Sequence, residues 1–174
     1  AKLSQNLAGQ PGYWEGGFGF RGIFDGQNHT ISDFTAGETG LFGHIGKGAI
    51  IKDVNFAKVS CNNDYLSAVL ARTIVGAELS NINIEVIGFT GTSRDNGILA
   101  SRYIDGSTIK NVKIDASACV VYSLFGNTTG DKTGNTYSGV EVKVKAYTMF
   151  ADQGTDVNGS DKTVAPAGVK IIVV

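Results

Sequence analysis

The sequence predicts an all-β protein, a right-handed parallel β-helix solenoid of about six coils, and three observations carry that expectation. First, a short apolar phrase returns five times. It reads Gly40-Leu41-Phe42-Gly43, Ala68-Val69-Leu70-Ala71, Gly97-Ile98-Leu99-Ala100, Ser123-Leu124-Phe125-Gly126 and Thr148-Met149-Phe150-Ala151, at steps of 28, 29, 26 and 25 residues. Self-similarity at such a period marks units that cannot bury an apolar face alone and stack on their neighbours. Second, the column Asp33, Asp53, Asn81, Asn111, Gly139, Gly168 runs in step with it, inside phrases such as Ile51-Lys52-Asp53-Val54 and Ile109-Lys110-Asn111-Val112. Third, apolar and polar residues alternate with a strand period of two, and no stretch of ten or more residues shows the helix period of 3.6.

The elements follow in order. Residues 1–19 lie outside the repeat, carry Tyr13, Trp14 and Phe18, and read as an N-terminal cap or leading strand, because a bare solenoid end exposes core and strand edge. Residues 20–174 form the repeats, with coil boundaries near 20–38, 39–64, 65–95, 96–121, 122–147 and 148–174. Turn residues separate the phrases, among them Asp25-Gly26-Gln27-Asn28 and Asp105-Gly106-Ser107. Leu41, Val69, Ile98, Leu124 and Met149 stack as one inward column, or else Phe42, Leu70, Leu99, Phe125 and Phe150 do; the residues alone leave that choice open. Parallel strands of one sheet join through right-handed crossovers, which sets the expected hand. The terminal strand Val169–Val174 is apolar and has no polar cap after it, so the parent protein continues beyond it or another subunit covers it.

Composition excludes several classes. Of 174 residues, 24 are Gly and 2 Pro, and charged residues make up only 18% against about 25% in ordinary domains. A net charge of −1 gives no pull toward nucleic acid or an anionic membrane. The paired lysines Lys110 with Lys113 and Lys143 with Lys145 are interrupted by Asp115 and Glu141, so no basic patch is expected. No run of 18 apolar residues exists to span a bilayer, and no secretory signal is seen; a processed mature chain and a trimmed fragment would both begin this way.

Cys61 lies eight residues after Asp53 and Cys119 eight after Asn111, while the same offset from Asn81 gives Phe89. The thiols are therefore expected two coils, roughly 10 Å, apart, too far for a disulfide, and buried.

The phrase Phe20-Arg21-Gly22-Ile23-Phe24-Asp25-Gly26-Gln27-Asn28-His29-Thr30-Ile31, followed by Gly40-Leu41-Phe42-Gly43, resembles the opening of bacterial GLUG-type repeats. Such repeats occur in large surface proteins and in the non-catalytic N-terminal region of immunoglobulin-A-cleaving metallopeptidases. The resemblance covers roughly residues 18–126 and implies an extracellular β-helical module. It implies no peptidase: a zinc peptidase needs His-Glu-x-x-His, and His29 and His44 are the only histidines.

No Ser-His-Asp or Cys-His set is expected, and no metal or cofactor. His29 reads as a turn residue and His44 as a coil-corner residue. Asp33 and Asp53 are expected to stack, continuing into Asn81 and Asn111 as a polar ladder that satisfies turn backbone. Arg72, Arg94 and Arg102 fall near Asp64, Asp95 and Asp105 and read as a solvated loop face. Asp156-Val157-Asn158-Gly159-Ser160 is half a calcium loop without its twelfth-position acid. Aromatics are the binding candidates: Tyr13 and Trp14 near one end, and Tyr122 and Tyr147, which share a position before the apolar phrase on neighbouring coils. Their rings pair an apolar face with a polar tip, which suits sugars.

These residues are read as a non-enzymatic surface module, adhesive, spacer or glycan-contacting, whose partner is a glycan or a host or cell-surface ligand. Two other readings stay open: a polysaccharide lyase or hydrolase fragment, marked by acids and a basic residue in one outward groove, and a self-assembling subunit that docks through its C-terminal strand edge.

Overall fold

The computed structural model describes residues 19–37, 39–62, 67–90, 96–128, 134–149, 152–153 and 165–174. These hold fourteen strands and no helix. The first rung is β1 (Ile23–Asp25), β2 (Thr30–Ser32) and β3 (Thr35–Ala36). Then short and long strands alternate: β4 (His44–Ile45), β5 (Ile50–Cys61), β6 (Ala71–Val75), β7 (Glu78–Phe89), β8 (Ala100–Asp105) and β9 (Thr108–Ser123). After these come β10 (Asn127–Thr128), β11 (Thr136–Ser138), β12 (Val140–Met149), β13 (Asp152–Gln153) and β14 (Val169–Val173). Every strand pairing is parallel. The long strands stack in the order β1-β5-β7-β9-β12-β14, and a second sheet runs β4-β6-β8.

This is the parallel β-solenoid that the repeats predict, with about four turns instead of six. The large sheet has six levels, but only the middle ones combine a long strand with a short strand on the other wall. Counting the six positions of the corner column counts levels, and the end levels are partial.

The spacing of inward residues explains the path of the chain. Ile51 and Val54, Leu79 and Ile82, and Ile109 and Val112 are all buried although the members of each pair are three positions apart. A regular strand would point them to opposite faces. The residue between resets the alternation: Asp53, Asn81 and Asn111 have φ of 53°, 54° and 52°, a left-handed corner after which the core side is again the inner side. Asn and Asp enter that region more readily than other side chains. Gly139 and Gly168 continue the corner at φ 63° and 88°.

Both candidate apolar columns are inside. Leu41, Val69, Ile98 and Leu124 are joined by backbone bonds of 3.1, 2.8 and 2.8 Å, from each N–H to the next carbonyl. Phe42, Leu70, Leu99 and Phe125 stack beside them, and all eight side chains are buried. The phrase lies at a bend, so consecutive side chains both turn inward. Each such burial contributes roughly 1.5–3 kcal/mol. Gly97 is needed at that bend, since a Cβ there would collide with the backbone of Ala100 and Gly126.

Three expectations are corrected, two of them of register. Asp33 does not stack on Asp53: Ser32 pairs with Ala57, so Asp33 lies against Lys58, at φ 58° and 53°. Met149 pairs with Ser123 and not with Leu124. Arg72 and Arg102 are half-buried residues of β6 and β8, not members of a solvated loop face. Arg94, Asp64, Asp95, Phe150, the Asp156–Ser160 stretch and the proposed cap residues 1–18 lie outside the described residues. At the N-terminal end the first rung packs on the core, with the Phe20 and Phe24 rings 5.2 and 5.3 Å from Phe42.

Candidate functional site: an outward groove across the long sheet

Beyond the left-handed corner, each long strand alternates inward apolar and outward polar side chains. Parallel stacking turns the outward ones into two files. The first runs Thr30, Asn55, Asn83, Lys113, Glu141, Lys170 through successive register partners. The second runs Glu85, Asp115, Lys143. Between them lies a groove with a volume of about 340 Å³, reaching from Thr30 to Glu141 and Lys143.

Its two ends differ in chemistry. At the N-terminal end amides form a chain: Asn55 Nδ2 donates to the Asn28 carbonyl at 3.0 Å, and Asn83 Nδ2 donates to Asn55 Oδ1 at 2.7 Å. At the other end charges alternate in both directions, Lys113 facing Glu141 and Asp115 facing Lys143 in register.

The carboxylates are held by their own scaffold. Asp115 Oδ1 accepts from Ser117 Oγ at 2.6 Å and Ser117 N–H at 3.1 Å. Those bonds, reinforced by the nearby Lys143 ammonium, hold its carboxyl below the usual range against the opposing effect of desolvation. Glu85 Oε2 accepts from Lys58 N–H at 3.2 Å, where the left-handed Lys58 bulges β5 outward. Glu141 meets Lys170 at 3.8 Å.

The sequence-expected binding residues are not brought together. Tyr13 and Trp14 lie outside the described residues. Tyr147 pairs with Val121, not Tyr122: beyond the register shift between Val144 and Ala146 the paired residues are 26 apart, and the tyrosines are 25 apart. Val121 is buried, and Tyr147 packs against the core as its neighbour in register. Tyr122 is half-buried one position further along, so the two tyrosines form no shared row. No described aromatic residue is fully exposed.

His29 is a turn residue whose N–H donates to the Gly26 carbonyl at 2.7 Å. His44 is half-buried in β4, with Nδ1 2.7 Å from Thr73 Oγ1. Burial, followed by the Arg72 charge, pushes its imidazole down. Cys61 and Cys119 are free and buried, with Phe89 beside Cys61 in register. Burial raises both thiols, Cys61 to about 12. Among the described residues no group of three or more His, Cys, Asp or Glu is placed to hold a metal ion. No described helix is long and apolar enough to cross a membrane.

The groove was missed in the sequence because neither of its files keeps one residue type from level to level. The signal available was positional: they stand two and four residues beyond the corner column.

Comparison with protein-family models, curated proteins and solved structures finds no match for this chain.

Proposed function

We propose that this chain is a non-enzymatic module of a bacterial surface or secreted protein, which contacts a glycan or cell-surface ligand through the outward groove of its long sheet. The groove carries this reading: an open trough lined on five levels by amides, carboxylates and ammonium groups. Its volume falls in the range of ligand sites. The GLUG-like opening phrase supports the extracellular setting. Asp115 supports the non-enzymatic part, since its hydrogen bonds favour the ionised form and leave it a poor proton donor.

The test is an array of glycans and surface ligands probed with the full chain and with Lys113→Glu/Lys143→Glu. Binding by the native chain that the double variant loses supports the proposal. Absence of binding to every ligand overturns it.

A second reading, a polysaccharide lyase or hydrolase fragment, is favoured by one observation: Glu85, Asp115 and Glu141 share the groove with Lys113 and Lys143. New reducing ends or unsaturated products from the bound glycan would put this reading first. Self-association through β14, which has a strand partner on one side only among the described residues, is proposed as a property to be read on a sizing column.

A further inference from the structure

We infer that the groove takes an uncharged glycan chain lying along the solenoid axis, one sugar ring to each level. This deepens the proposed function and rests on the groove being the contact face.

The period of the groove sets the step of its ligand. From Thr30 to Glu141 the first file crosses five levels, so it spans about 19 Å at the usual strand spacing of about 4.8 Å. A polymer that meets each level in the same way must advance by nearly that step. An extended peptide advances only about 3.3 Å per residue and falls out of phase within two levels. An extended chain of pyranose rings advances close to one level per ring.

Charge narrows the ligand further. Three carboxylates, Glu85, Asp115 and Glu141, face two ammonium groups, Lys113 and Lys143. A polyanion such as a uronate chain or a nucleic acid strand meets the carboxylates at unfavourable range, and nucleic-acid sites need a cationic surplus. Ammonium groups only donate and carboxylates only accept. A surface that alternates the two is matched by groups that do both, and hydroxyls do. Asn83 adds an open acceptor, because its Nδ2 is committed to Asn55 while no donor among the described residues reaches its Oδ1. With no fully exposed aromatic among the described residues, recognition is by hydrogen bonds and not by stacking on a flat platform.

The experiment titrates the full chain with cello-oligosaccharides and chito-oligosaccharides of two to six rings, and with oligogalacturonate of matching length, followed by calorimetry and amide chemical shifts. Affinity for an uncharged series should rise with each ring up to about five, then level off. Shifts should centre on Asn55, Asn83, Lys113 and Glu141. Asn83→Ala and Lys143→Gln should each weaken binding about fivefold, the factor for one hydrogen bond of ordinary net strength. Lys143→Gln lies outside the amide chain, so it reads binding even where Asn83→Ala perturbs folding. Affinity independent of length, equal or tighter binding of oligogalacturonate, or shifts centred elsewhere overturns this inference alone. Failure of every ligand on the wider array overturns the proposed function with it.

Discussion

Asn81 donates from Nδ2 to Asp53 Oδ1 at 2.8 Å across one full turn, and both residues hold a left-handed backbone, at φ 54° and 53°. Asn111 repeats the contact onto Asn81 at 3.2 Å. The side chain that tolerates the corner thus also ties each corner to the one before. Asn81→Ala should lose both the tie and the tolerance, with about 2 kcal/mol of stability lost. Asn81→Gly keeps the backbone freedom and should lose about 1 kcal/mol. Urea unfolding of both variants separates the two contributions; equal losses would mean that the ladder bonds alone matter.

Leu99 tests the inner columns. It is fully buried, and its carbonyl accepts the Ala71 N–H at 3.3 Å. Leu99→Ala should cost about 3 kcal/mol, within the range for buried leucines. The solvent-facing Lys110→Ala on β9 should change stability by less than about 0.5 kcal/mol. Thermal unfolding of the two variants is the check.

The same physics explains what could be read from the sequence. The columns through Leu41 and Phe42 and the ladder from Asp53 to Asn111 were legible because stacking demands the same residue type at each level. Asp33 misled because two corners have the same local pattern. Ile31-Ser32-Asp33-Phe34 resembles Ile51-Lys52-Asp53-Val54, yet it pairs with Phe56-Ala57-Lys58-Val59, where Lys58 is also left-handed between two buried residues. The left-handed Gln27 and Asn28 take up the difference in length. Tyr147 misled for another reason: the offset between β12 and β9 changes from 28 residues at Val144 to 26 at Ala146, so the 25-residue spacing of the two tyrosines misses the register by one, which reverses the face in a strand. The groove was invisible because only stacking assembles it.

The thiols give a check on register that needs no structure. Cys61 and Cys119 are buried and free, and burial raises the Cys61 thiol to about 12. The thiolate is the reactive form, so both should resist a thiol reagent at pH 8 in the native chain and react promptly in urea. Reduction should leave mobility and mass unchanged. Rapid native labelling of both would refute the inward placement of these strands.

His44 makes the fold sensitive to mild acid. Burial first, and the Arg72 charge second, lower its imidazole below the ordinary value of 6.5. The folded state therefore favours the neutral ring, whereas the unfolded chain takes up a proton at the ordinary value. The stability tied to the neutral ring is complete above about pH 6.5 and declines as pH falls from there through the lower folded value. Unfolding free energy should thus drop between pH 7 and pH 5. His44→Gln keeps a polar group opposite Thr73, whose hydroxyl lies 2.7 Å from Nδ1, and removes the proton-binding site. Its stability should be nearly flat over that interval. Parallel pH–stability curves for the native chain and the variant would show that the dependence arises elsewhere.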